Sequence, residues 1–289
     1  TAAPLLAAAE STGAEIPIAR SFKLGDMQVT TLLDGSALRD GPKEIFGGNA
    51  SDAEFAKVSE EHFIPHDKTQ FYFTPTLVNT GSELVLFDTG LGRGGLTRAL
   101  AAAGVAPEDI DIVVITHMHP DHIGGLMADG APAFANARYV MGAVEYNFWS
   151  AMDAGNRVGD LVAKNVTPLA EKASFIDDGA RVASGITALA SFGHTPGHMC
   201  FVLESGGQQL VLTADLANHY VWSFANPDWI VSFDADKAAA TASRRRVLGM
   251  LAADKMPMIG YHMPFPAAGF VETRGEGFRY VPVSYQLMG

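Results

Sequence analysis

The hydrophobic positions of this chain fall into short runs, and polar or glycine-rich residues follow nearly every run. Runs at 22–24 and 27–33 flank Gly25-Asp26 and predict a β-hairpin. Further strands are predicted at 70–79, 83–87, 110–116 and 137–141, then three within 181–214, and one at 256–260. Helices are predicted at 51–61 behind Ser51-Asp52, at 96–103 before Gly104, at 144–152, and at 236–255. Each half reads as strands, then polar residues at strand ends, then a helix. That pattern predicts a single α/β domain, a four-layer αββα sandwich with the sheets inside. Residues 1–20 read as an N-terminal extension and 21–289 as the domain.

The densest chemistry follows the most apolar strand. Ile110-Asp111-Ile112-Val113-Val114-Ile115 has the β-branched composition of a fully buried strand. Directly after it stand His117, His119, Asp121 and His122, and three of the nine histidines in the chain fall in this one loop. Imidazole nitrogen and carboxylate oxygen both suit zinc-like divalent ions. His117 and His119 are two residues apart and project to one side of an extended segment, so they can grip one ion. Asp121 and His122 are adjacent, point differently, and can serve a second ion. Pro120 ends the strand, and Gly124-Gly125 allows backbone to pack closely behind the loop.

Four later or earlier strand ends also deliver polar groups: Asp88, His194 in the turn 193–198, Asp215, and His262. Asp88 reads either as a support for a ligating histidine or as a turn-forming residue. The glycines at 90, 92, 94 and 95 do not have the spacing of a nucleotide loop. His62 and His66 have no partner at ligand spacing and read as ordinary loop histidines. Trp149 reads as core or as a pocket wall. The aromatic segment 220–233 holds Tyr220, Trp222, Phe224, Trp229 and Phe233, which suits core, pocket wall or a subunit contact.

Composition narrows the function. A net charge of -12 repels nucleic acid phosphates, so no nucleic acid partner is expected. The one basic run, Arg244-Arg245-Arg246, reads as a solvated helix face. The lone Cys200 excludes an internal disulfide and a cysteine metal site, and reads as a small buried hydrophobe. No apolar run reaches the length of a membrane span. The small, apolar opening from Thr1 to Ala9 leans toward a periplasmic or secreted protein whose leader has been removed, with a cytoplasmic one as the alternative.

The series His117-Met118-His119-Pro120-Asp121-His122, followed by His194, Asp215 and His262, resembles the metallo-β-lactamase-fold hydrolases over roughly residues 20–289. Blocks at 77–81, 115–126, 147–149, 188–198, 264–266 and 277–283 are similar to the methyl parathion hydrolase and lactonase branch. The resemblance implies an αββα sandwich with two divalent ions, zinc by default and manganese, iron or cobalt as substitutes. It implies that His117, His119 and His194 hold one ion, that Asp121, His122 and His262 hold the other, that Asp215 bridges them, and that Asp88 supports the site. His198 is not usually a ligand. An Asp at 215 disfavours β-lactamase activity, and a His at 119 disfavours redox chemistry of the flavodiiron type. After His262 only Arg274 and Arg279 are basic, too few for a glutathione thioesterase. The loop after Asp88 lacks the aromatic residue that walls an organophosphate pocket, and Asn218, His219 and Tyr220 follow the bridging Asp where lactonases carry a Tyr.

The expected activity is therefore hydrolysis of lactones or aryl esters by hydroxide held between two cations, with side activity on phosphotriesters. Asp121 or Asp215 would relay a proton to the leaving group. Trp149, His219, Tyr220 and Trp222 are the candidate pocket residues. Dedicated phosphotriester hydrolysis is the alternative, and family habit implies a homodimer.

Overall fold

The computed structural model describes residues 17–284. The opening stretch read for export lies outside the described residues. The part of the expected extension that is described enters the first sheet at once: the first strand begins at Ala19, and Leu33 N donates to Ile18 O.

Two seven-stranded sheets make up the centre. In the first, Ala19–Leu24, Met27–Leu32, Thr76–Asn79 and Leu84–Phe87 run as an antiparallel meander. Ile112–Ile115, Arg138–Gly142 and Ala173–Ile176 then add in parallel. The second sheet takes Arg181–Ala183, Ile186–Ala190, Met199–Ser205, Gln208–Ala214, Met258–Gly260, Ala268–Arg274 and Gly277–Pro282 in chain order. Its one parallel step, Gln208–Ala214 to Met258–Gly260, is bridged by the helix Lys237–Asp254.

Side-chain alternation puts these sheets face to face. In Ile112–Ile115, Ile112 and Val114 join a core shared with Cys200, Phe201, Leu210 and Leu212 of the second sheet. Val113 and Ile115 point the other way, toward Leu96, Ala99 and Leu100 of Gly95–Ala102 and Val162 of Arg157–Asn165. A strand covered on both faces must be apolar at every position, and all four residues here are buried. The four-layer expectation is thus met: helices cover the outer face of the first sheet, and Val247, Leu248 and Leu251 of Lys237–Asp254 pack on the second.

Several elements differ from the sequence reading. The run 70–79 is two strands. Lys68–Phe73 pairs with Gly35–Asp40 in a separate ribbon, and only Thr76–Asn79 enters the sheet. Pro75, which has no N–H for a ladder, lies at the break. The stretch 181–214 holds four strands, because Gly185 at φ 69° turns Arg181–Ala183 back on Ile186–Ala190. Residues 120–123 form a short helix with Pro120 in its first turn, where a missing N–H costs nothing. Arg157–Asn165 and Ala173–Ile176 were not foreseen. The helix at 52–61 follows its signal closely: Ser51 and Glu54 form a reciprocal capping box.

Candidate metal centre

The buried strand Ile112–Ile115 ends where the two sheets part, and the carboxylate of Asp88 holds its exit. Thr116 N and Thr116 Oγ1 donate to the two oxygens of Asp88, each at 2.9 Å. Asp88 itself has φ 62°, and Ala214 just before Asp215 has φ 44°. Non-glycine residues rarely adopt this left-handed backbone, and here it turns both strand-end carboxylates inward. Behind the ligand loop, a Cβ on Gly92 would lie 2.2 Å from Gly124 O, and one on Gly125 2.2 Å from Thr89 O. The glycines after Asp88 thus serve close backbone packing.

All seven residues expected around the ions come together, in two groups. His117, His119, His194 and Asp215 form one, and Asp121, His122 and His262 the other. Within the first, His194 Nε2 stands 3.0 Å from His119 Nδ1 and 3.3 Å from Asp215 Oδ2, and His117 Nε2 stands 3.8 Å from that oxygen. Within the second, Asp121 Oδ2 lies 3.6 Å from His122 Nε2 and 3.5 Å from His262 Nε2. Asp215 faces both: Oδ1 is 3.2 Å from His122 Nε2, and Oδ2 is 3.1 Å from His262 Nε2. Ligands about 2.05 Å from a tetrahedral zinc lie roughly 3.3 Å apart, so this spacing suits one ion per group.

The hydrogen bonds decide which way each imidazole faces. His262 Nδ1 donates to Tyr72 O at 2.8 Å, a partner that can only accept. His122 Nδ1 donates to Asp88 Oδ2 at 2.8 Å, and His194 Nδ1 to Asp234 Oδ1 at 2.9 Å. The Thr116 hydroxyl is committed to Asp88, so at 3.1 Å it accepts from His117 Nδ1. With these four outer nitrogens carrying protons, the inner nitrogens of His117, His122, His194 and His262 are left to present lone pairs to one another and to two carboxylates. His117 Nε2, His122 Nε2 and Asp215 Oδ1 are buried without any hydrogen-bond partner. Buried acceptors pointing at one another are costly unless a cation joins them, and this donor set fits divalent metal.

The titration directions divide between the histidines and show which inner atoms attract positive charge. Burial, and then the neighbouring imidazoles, hold His117 and His119 well below the ordinary histidine value. Burial opposes charge on His122 and His194 too, but their carboxylate partners outweigh it; His122 is raised well above the usual value and His194 to about 9. Burial pushes Asp215 up, yet His262, His122 and His117 pull it well below the usual carboxylate range. Protons and cations compete for the same inner atoms.

Residues that the sequence reading missed hold the candidate ligands in place. Arg244 was expected on a solvated helix face; it is instead 1% exposed. It donates to Asp234 Oδ2, Leu216 O and Pro227 O, and so fixes the carboxylate that orients His194. The signal was present, because Arg244 shares a helical face with Ala240, Val247, Leu248 and Leu251, all buried. Asp234 reaches His194 because Ala235 N and Asp236 N bond the carbonyls of His194 and Gly193. His198, held by burial at about 3, accepts from Asp215 N at 3.1 Å, and Asn218 Nδ2 donates to Asp215 Oδ2 at 2.9 Å. The Tyr261 ring lies 3.9 Å from that of His122, and its hydroxyl donates to Asp121 O.

The candidate pocket residues divide. Trp149 is half-buried with its ring 6.3 Å from that of His119. Tyr220 is half-buried against the adjoining aromatic cluster. Trp222 and His219 are corrections: they stack on each other at 3.9 Å inside that cluster. Trp222 is wholly buried with its indole N–H on Ser59 Oγ, and His219 Nδ1 accepts from Val221 N and Trp222 N. Both are core. A recess of about 460 Å³, lined by residues such as Phe22, Leu210, Met256 and Phe270, includes none of the convergent side chains. The chemistry is placed by donor geometry and not by cavity size.

Known proteins resemble this chain in sequence and fold to different extents. An N-acyl homoserine lactonase from Bacillus sp is 26% identical over 192 residues, 61% of this chain and 72% of its own length. In three dimensions the chain is similar to AidC, a dizinc quorum-quenching lactonase solved in complex with a product N-hexnoyl-L-homoserine. The TM-score is 0.85 at 28% identity, covering 93% of this chain and 99% of that one. The hydrolase AbOPH in the beta lactamase superfamily also superposes at TM-score 0.85, over 94% of this chain and 99% of that one; at 23% identity the likeness is one of fold. Residues 74–258, well over half of the chain, match the Metallo-beta-lactamase superfamily, and the chain belongs to that family.

Proposed function

We propose that the protein is a dinuclear metal-dependent hydrolase of lactones and aryl esters, with zinc as the default metal. The observation that carries this reading is the convergence of seven ligand side chains into two groups that share Asp215, with inner atoms left as acceptors. When bound, two such cations supply a water acidic enough to ionise near neutral pH and a Lewis acid for the ester carbonyl. His117, His119 and His194 would hold one ion, Asp121, His122 and His262 the other, and Asp215 both.

The two candidate proton carriers differ in their surroundings. The Asp215 side chain is 3% exposed and held by Asn218, whereas Asp121 is 19% exposed. Asp121 is therefore the better placed to pass a proton to a departing alkoxide, and Asp215 the better bridge. An aliphatic lactone alcohol needs that proton; an activated phenol leaves without it.

Apolar side chains stand beside the ligands. Trp149 adjoins His119 and is met edge-on by the partly exposed Phe148, Phe192 lies two residues before His194, and Phe233 contacts Phe71 edge-on, which in turn contacts His262. This supports a substrate with an apolar acyl or aryl part. The lactonases among the similar proteins support the lactone over the phosphotriester.

The test is a panel of lactones, aryl esters and phosphotriesters, assayed before and after chelation and after zinc is returned. The expected result is the highest kcat/KM on lactones, lost on chelation and restored by zinc. Activity indifferent to chelation would remove the proposal, and a kcat/KM highest on phosphotriesters would replace the substrate class.

A further inference from the structure

Glu145 is a buried carboxylate, 1% exposed, in the first turn of the helix Ala143–Ser150. Its partners are N–H groups from both ligand-bearing loops. Oε1 accepts from Met118 N at 2.8 Å, and Met118 lies between His117 and His119. Oε2 accepts from Gly197 N at 2.8 Å, in the turn between His194 and His198. Oε1 also accepts from Trp149 Nε1 at 2.7 Å, one helical turn on, whose ring faces His119. One carboxylate thus joins a loop of the first sheet, a turn of the second, and an aromatic wall.

Backbone packing shows that the approach is built in. A Cβ on Gly197 would lie 2.3 Å from Glu145 N and 2.7 Å from its Cα, so only glycine lets the turn reach the helix. Burial raises the Glu145 carboxyl above the usual value, and the bonds from Met118, Thr195, Gly197 and Trp149 offset only part of that rise. Charged acceptors with several N–H donors make strong, short bonds, as these are.

We propose that Glu145 is a positioning residue that sets the distance between the pair His117/His119 and His194, and thereby governs retention of the ion those three would hold. It touches none of the Asp121, His122 and His262 side chains, so its effect is confined to one of the two ions. This rests on the dinuclear reading of the centre.

The amide in Glu145→Gln can keep Met118 N and Trp149 Nε1 on its oxygen, but its NH2 then faces the Gly197 N–H, donor against donor. The turn carrying His194 is released. Zinc retention is measured by competition with a graded series of chelators, and anomalous scattering from crystals of the half-chelated protein identifies the ion that remains. The metal-free protein is melted in parallel. For Glu145→Gln the expected result is a tenfold to roughly hundredfold weaker hold on the ion of His117, His119 and His194, with the other ion held as in wild type. Unchanged retention of both ions, or equal loss of both, would overturn the assignment while wild type still binds two. A fall only in the melting temperature of the metal-free variant would reduce Glu145 to a structural role and overturn it as well. A wild-type protein that holds no zinc would sink the dinuclear reading and this assignment together.

Discussion

The two ligand groups are held by different means. His194 in the first group is backed by Asp234, which a fully buried Arg244 holds in turn, and both of its histidine-bearing loops are tied to Glu145. These supports sit on or beside helices far along the chain. In the second group, His122 is backed by Asp88 at the end of its neighbouring strand, and His262 by the carbonyl of Tyr72. Both groups span the two sheets, but the first needs carboxylates and a buried ion pair from helices and loops outside the strand ends to bring its residues into register. The second needs little beyond strand ends and main chain. The first should therefore be open to damage from remote positions, and the second mainly from its own.

The sharpest break in that contrast is Asp215→Ala, since Asp215 alone faces both groups. Turnover should fall by several orders of magnitude and zinc content should drop at both sites, while circular dichroism stays near that of wild type. Near-normal rates in the zinc-loaded variant would end the shared-ligand picture. Next comes Asp234→Ala, which strands the Arg244 guanidinium in the core. Removing one partner of a buried ion pair costs about 3–5 kcal/mol, and denaturant unfolding should show it together with loss of the first ion. If stability were unchanged, the remote support of the first group would be an illusion of geometry.

Asp88→Asn is the matching probe of the second group. Loss of a carboxylate behind a ligating histidine weakens metal binding by roughly 10–100-fold. Because Thr116 links Asp88 to His117 as well, both ions should weaken, the His122 ion more. Chelator competition would show this ordering, and the reverse ordering would contradict it. The smallest effect lies outside both groups. Arg245 pairs with Asp228 on the surface, 41% and 57% exposed. The Arg245 hydrogen bonds lower the Asp228 carboxyl, so its contribution is complete above the usual value and is lost as pH falls through the lower folded one. Asp228→Ala should cost about 0.5 kcal/mol at neutral pH, vanishing in acid and at high salt, with no change in zinc content.

Much of this could be read before any coordinates. The ligand loop 117–122 is legible because its donors are contiguous and follow an apolar run that can only be a doubly covered strand. The capping box at Ser51 and Glu54 and the cap Asp236 are legible because capping is a matter of three or four residues. The split of 70–79 at Thr74-Pro75 was locally marked too, by a residue that cannot donate to a ladder.

The amino-acid order alone determined which side chains can serve as ligands and which segments carry them to strand ends, because both depend on neighbours a few residues apart. Tertiary structure decided which groups stand behind them. Glu145 and Asp234 look in sequence like any solvated charges, and the apolar helix face of Arg244 marks its burial but not its partners; only packing shows what each of them bonds. The same holds for Trp222 and His219, whose place in the core and not at a pocket wall follows from Phe46, Phe55 and Ser59, more than 150 positions away. A charge or a ring acquires its role from the dielectric and the partners around it, and those are properties of the assembled sheets and helices.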